Sequence, residues 1–145
     1  MSNELNTLQS LTDTAIDSAM GYRKASEAAK TQHLKDVLRE QASKREALIE
    51  RLNAEIVRLG GTARTDGSAL GAAHRAWTSF TDAFSSGDKA ASERVEEGED
   101  HLEEKFREAL DKGTFDAQTR QLLVSAHGEI AEGERLTDRL EEQYD

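Results

Sequence analysis

Residues 59–77 read LGGTARTDGSALGAAHRAW, and this stretch decides how the rest of the chain can pack. It holds the single tryptophan and separates two long runs with helical periodicity. Gly60-Gly61 ends the run before it, because glycine takes the left-handed conformation beyond a helix C-terminus without a side-chain penalty. Thr65-Asp66-Gly67-Ser68 reads as a turn, with Asp66 or Ser68 capping a shorter helix to about Phe84. Leu70, Ala73, Trp77, Phe80 and Phe84 fall at helical spacing along it, and Ser85-Ser86-Gly87 stops it. From Gly61 to Gly87 the connection has 27 residues. With ~22 Å of helix inside it, that is enough to travel back along a ~38 Å bundle. An up-down-up-down bundle needs only a few residues at this point. The stretch therefore predicts a crossover that leaves the second and third long helices parallel.

The composition supports an all-α reading of one domain over 1–145. The chain has no proline, 33% charged residues and only 5% aromatic ones. Such sequences favour long helices because Ala, Leu, Glu, Lys and Arg lose little rotamer freedom on a helix. The absence of cysteine excludes disulfides, thiolate metal sites and cysteine nucleophiles, and fits a reducing cytoplasm. A formal charge of −10 argues against nucleic acid and against anionic membrane surfaces, both of which need concentrated basic faces. No apolar run approaches the ~20 residues that span a bilayer, and residues 1–11 lack the basic and apolar regions of a signal peptide. The expectation is a soluble cytoplasmic protein.

Four helices of about 25 residues follow from the 3.6-residue period. The first runs from about Glu4 to Ala29, with Ser2 or Asn3 as cap, and its stripe is Leu5, Leu8, Thr12, Ala15, Ala19, Tyr22 and Ser26. The second runs from about His33 to Leu59, broken from the first at Lys30-Thr31-Gln32. One helix through both would be ~80 Å long, too long for a domain of this size. The third spans Asp88 to Lys112 and ends at Gly113. Thr114 or Asp116 opens the fourth, about Ala117 to Gln143, whose stripe is Leu122, Leu123, Ala126, Ile130, Gly133, Thr137 and Leu140.

Several of these residues carry a family likeness. Asp17-x-x-x-Gly21-Tyr22-x-x-Ala25, Leu59-Gly60-Gly61, Gly67-Ser68-x-x-Gly71-x-x-His74-Arg75-x-Trp77 and Gly98-Glu99-Asp100 resemble a bacterial ferritin-like four-helix-bundle family known as a domain of unknown function. The likeness extends over essentially the whole chain. It implies a ferritin-like bundle whose long crossover carries a short extra helix between helices two and three. It also implies a bacterial origin and a stress association, and no established activity. The fourth helix departs from the pattern, with Glu134 where a late histidine is expected.

A ferritin-like bundle raises the question of a di-iron or di-manganese centre, which needs inward glutamates and two Glu-x-x-His pairs. The residues three positions before His33, His74, His101 and His127 are Lys30, Gly71, Gly98 and Val124, so that motif does not occur. No metal or other cofactor is predicted; iron or manganese enters only under an alternative with irregular ligands. The candidates for that alternative are Glu99, beside the stripe Val95, Gly98, Leu102, Phe106, and the pair Glu97 and His101 on its outer flank. Glu96 and Glu103 are read as facing away on a solvated acidic surface, and His127 as a partly buried packing residue.

Helix two carries the more informative polar residues. Gln41 and Arg45 sit at the centre of its apolar stripe, between Leu38 and Leu48. Either Arg45 joins a buried network with Gln41, Tyr22 and Glu99 in place of a metal centre, or its head reaches solvent along a packed stem. A guanidinium stranded in a core by loss of its partner costs ~3–5 kcal/mol. His74, Arg75 and Trp77 are read as fastening the crossover to the bundle. No catalytic residue is predicted: no phosphate-cradling glycine loop and no nucleophile elbow occurs. The favoured role is a non-catalytic protein acting by association, as a homodimer or with another protein.

Overall fold

In the computed structural model, residues 2–67 and 87–144 are described. Four helices account for most of them: α1 (Ser2–Ala28), α2 (Gln32–Arg58), α3 (Asp88–Lys112) and α4 (Ala117–Tyr144). No strand occurs among the described residues, and the chain is all-α. The short extra helix expected before Phe84, and the anchor residues His74, Arg75 and Trp77, lie outside the described residues.

The helix ends follow from local chemistry. Ser2 and Asn3, expected to cap α1, instead fall inside it. Beyond α2, Gly60 takes a φ of 93°. The N–H of Gly60 then donates to the carbonyl of Val57, and that of Gly61 to the carbonyl of Ile56. These two bonds close the last turn and satisfy carbonyls the helix leaves open. At the start of α4 the choice falls on Asp116, whose carboxylate accepts the Thr119 N–H at 2.8 Å.

Contacts between the ends fix the helix directions. Asp88, at the start of α3, accepts the backbone N–H of Lys30 at 2.7 Å and of Thr31 at 3.2 Å, and it also accepts the Thr31 hydroxyl. The α1–α2 turn and the start of α3 therefore share one end of the bundle. At the other end, Glu4 accepts the Asp116 N–H at 3.1 Å, and Arg58 pairs with Asp116 at 2.9 Å. Helices α1 and α4 run one way, α2 and α3 the other. This is the parallel relation that the long connection predicted. The first residues of that connection climb α1: Gly61 packs on Leu5, Arg64 pairs with Asp13 at 2.9 Å, and Gly67 lies against Ile16 and Asp17.

Helix α1 packs on both α2 and α3, and α3 on α4, whereas α2 and α4 meet only sparingly. Two apolar clusters fill the interior. One gathers Leu8, Leu11, Leu48, Leu52, Leu102, Phe106, Leu123 and Ile130; the other gathers Tyr22, Leu34, Leu38, Val95 and Leu140. Burial of such side chains supplies ~1.5–3 kcal/mol each and holds the rods together. On every helix the switch from one cluster to the other falls near mid-length, and a polar layer occupies that level.

Candidate functional site

The polar layer draws on all four rods. Arg45 on α2 is 4% exposed and Glu99 on α3 is 1% exposed. The Arg45 Nη2 donates to Glu99 Oε2 at 2.5 Å. Ser18 on α1 donates to Glu99 Oε1 at 3.3 Å. The Tyr22 ring lies 6.0 Å from the Arg45 guanidinium carbon, within reach of a cation–π attraction. On α4 the layer holds Gly133, the residue that lets the pair sit so close to the α4 backbone. Gln41, one turn from Arg45, is also buried.

The sequence left two fates open for Arg45, and burial with Glu99 is the one observed. Gln41, Arg45, Tyr22 and Glu99 are all in the interior. They do not form a closed network, however. The Tyr22 hydroxyl and the Arg45 Nη1 are buried without a hydrogen-bond partner among the described residues. A buried donor left unpaired costs ~1–3 kcal/mol. The Tyr22 hydroxyl is near enough to Glu99 to feel its charge without meeting hydrogen-bond geometry. Burial first, and then the Glu99 charge, push the tyrosine pKa well up. Burial also raises Glu99, against the opposing pull of Arg45 and the hydroxyl groups.

The metal candidates separate. Glu97 is an exposed residue paired with Arg94 at 3.2 Å, and His101 is exposed on the same outer side. Only Glu99 points inward, where it already holds a guanidinium. A di-metal centre asks for several carboxylates and two imidazoles. The central layer provides one carboxylate and a fixed positive charge, so its residues do not fit such a centre.

Two acidic positions differ from expectation. Glu103, read as solvated, is buried at the α3–α4 seam, where its Oε2 lies 2.8 Å from His127 Nε2 and its Oε1 3.2 Å from Arg107. Glu96 belongs to a carboxylate cluster on the same seam, with ligand atoms of Glu96, Asp100 and Asp138 within 4.8 Å of one another. Hydrogen bonding to Asp100, with burial and Glu141, holds Glu96 at about 8. Asp100 likewise holds Glu134 at about 7. The Glu96–Asp100 spacing is visible in the sequence, but its α4 neighbours are set by the register of two helices.

A third buried acid is one that the sequence pattern does not single out. Glu55, 5% exposed, binds Arg58 at 2.6 Å and accepts the Thr119 hydroxyl at 2.5 Å. The Arg58 hydrogen bond keeps its pKa low despite burial. Arg58 at i+3 was the only available signal, and such pairs are common on surfaces.

The model of a family described as a domain of unknown function, DUF2383, matches residues 3–112. The chain belongs to this family. The matched span takes in α1, α2, the connection and α3, with Tyr22, Gln41, Arg45 and Glu99 inside it. Helix α4, including Gly133 and His127, lies beyond the match, which is shorter than the whole-chain likeness read from the sequence. No curated protein and no solved structure matches the chain. Among the described residues, no helix is long and apolar enough to cross a membrane.

Proposed function

We propose that this DUF2383 chain is a ferritin-like bundle, folded as one domain, in which an ion pair takes the place of a metal centre. It acts without catalysis, by association with a second copy or another protein. The observation that carries this reading is the Arg45–Glu99 contact in the middle of the bundle. A guanidinium there repels a divalent cation and engages Glu99, the carboxylate that faces inward at that level. The ferritin-like assignment draws on the parallel run of α2 and α3 and on the long connection between them. Val57 on α2 and Val124 on α4, each more than half exposed, offer apolar contacts to a partner. A cytoplasmic, stress-associated role in bacteria goes with the resemblance.

Elemental analysis with an iron-oxidation assay tests the chemistry. The expected result is no stoichiometric iron or manganese and no ferroxidase activity. Near-stoichiometric metal that disappears in Glu99→Ala would overturn it and favour the di-iron or di-manganese alternative. Sedimentation equilibrium tests association, and a monomer at every concentration would remove the homodimer.

A further inference from the structure

The two halves of α4 are held in different ways. Directed polar contacts tie the first half to its neighbours: Arg58 meets Asp116 at 2.9 Å and Arg51 meets Glu129 at 2.6 Å. The Thr119 hydroxyl donates to Glu55 at 2.5 Å, and His127 lies 2.8 Å from Glu103. Beyond Gly133 these ties stop. The Thr137 hydroxyl turns back to the Glu134 carbonyl of its own helix at 2.9 Å, and among the described residues no hydrogen bond or ion pair joins 134–144 to α1 or α2. Leu140, 2% exposed, is the buried apolar anchor of this half, in the cluster with Leu34, Leu38 and Val95. Gly128 and Gly133 stand just before it, and glycine weakens a helix at such points.

What else holds the second half is the seam with α3, and that seam is acidic on both sides. Glu96 and Asp100 on α3 face Glu134, Asp138 and Glu141 on α4, with carboxylate oxygens of Glu96, Asp100 and Asp138 within 4.8 Å of one another. Every neighbouring charge that acts on Glu96 and Glu134 is negative: Asp100 and Glu141 on the first, Asp100, Glu103 and Asp138 on the second. The other groups along the seam lie towards its ends. Arg107 is engaged by Glu103 at 3.2 Å, Lys89 stands about two turns before Glu96 on α3, and Tyr144 feels the charge of Asp88. Carboxylates packed this closely do not all ionise. Glu96 shares a proton with Asp100 and with Glu141 across the seam, and Glu134 shares one across it with Asp100. Each shared proton is a hydrogen bond between the helices, and its loss leaves two like charges facing each other.

We propose that the α3–α4 seam is a proton-operated latch on the second half of α4. Shared protons hold residues 134–144 against α3; their release to solvent lets that half swing away from Gly133 onward while the polar ties of the first half keep the rest of α4 seated. Opening withdraws Leu140 from Leu34, Leu38 and Val95 and uncovers that apolar cluster. Glu96 and Glu134 titrate at about 8 and about 7 in the closed seam, above the ordinary carboxylate range. Their contribution is therefore full below about pH 4.5 and is lost as pH rises through those two values. The latch lies within one chain, so it stands apart from the association reading.

The test is hydrogen–deuterium exchange of the purified full chain at pH 6 and pH 9, with the intrinsic pH dependence of amide exchange divided out. Between the two, protection over 134–144 is expected to fall at least tenfold more than protection over 119–130. Asp100→Asn removes the charge at the hub of the seam and is expected to cut that difference to less than threefold. Glu104→Gln removes an exposed acid of the same helix and is expected to leave the difference as in wild type. Equal loss along the whole of α4 would overturn the latch, because opening would then be global. Rescue by Glu104→Gln as large as by Asp100→Asn would also overturn it, because net charge and not the seam would be responsible.

Discussion

Gly133 on α4 stands directly over Glu99 on α3, so close that a Cβ at position 133 would overlap the Glu99 Oε2. The same Cβ would come within 3.2 Å of Arg45 Nη2. The glycine is therefore a steric condition of the ion pair. Its φ is not positive, so the constraint comes from space and not from backbone conformation.

Gly133→Ala should accordingly destabilise the protein, although alanine is the better helix former by ~1 kcal/mol. Overpacking a close-fitted interior costs ~1–3 kcal/mol, and the displaced ion pair adds to that. Urea denaturation should show a lower midpoint. A midpoint at or above wild type would mean that the layer yields freely and that Gly133 does not set its geometry.

Single and paired substitutions in the layer should be strongly non-additive. Arg45→Met alone leaves Glu99 buried without its cation, and Glu99→Leu alone leaves Arg45 stranded; each should cost ~3–5 kcal/mol. The double variant removes both charges and should recover most of that loss, because paired apolar replacement of a buried ion pair is often neutral. A double variant as unstable as the sum of the singles would show that the two residues act independently.

Stability should fall as the pH rises from 5 to 8 through the α3–α4 seam. Glu96 and Glu134 are held near 8 and 7 in the fold, above the ordinary carboxylate range. The folded state thus binds more protons than the unfolded one, so their contribution is full below about pH 4.5 and is lost as pH passes the folded values. Asp100→Asn should flatten this slope and raise the urea midpoint at pH 8 more than at pH 5. The acid side runs in the opposite sense. Thr119 and Arg58 hold Asp116 at about 2, and Arg58 lowers Glu55, so stability present at neutral pH is lost below about pH 4. A maximum near pH 5 follows, and a profile rising steadily to pH 8 would contradict it.

Asp88 ties the first hairpin to the start of α3. Burial works against its ionisation, but the Thr31 hydroxyl and the N–H groups of Lys30 and Thr31 keep its pKa low. Asp88→Ala should cost ~1–2 kcal/mol, since hydrogen bonds to a charged acceptor exceed neutral ones. Amide exchange at Lys30 and Thr31 should accelerate while Leu48 and Leu52 exchange falls only with global stability. Unchanged protection at Lys30 would show that the turn holds without the carboxylate.

Much of the architecture was legible from residues alone because it rests on local chemistry. The helix period, the glycine stop at 60–61 and the absence of proline act within a few residues of one another. They placed α3 from Asp88 to Lys112 and the other three helices within two residues at each end. The length of the connection bounded the topology by reach. A buried partner could also be foreseen for Arg45, since a charge at the centre of an apolar stripe needs one. The cover over the acidic flank of α3 is not legible in the sequence, because helical phase tells which side of a rod is apolar, not which neighbour stands beside its polar side. Glu103 and Glu96 both sit where α4 covers them.

The sequence by itself determined four rods, their boundaries, and a charge stranded at mid-length in α2. Only the tertiary structure decided that Glu99 answers that charge, that Gly133 makes room for both, and that one arm of Arg45 finds no partner among the described residues. Such pairings depend on the relative shift and rotation of helices far apart in the chain. These are fixed by the packing of all four rods together.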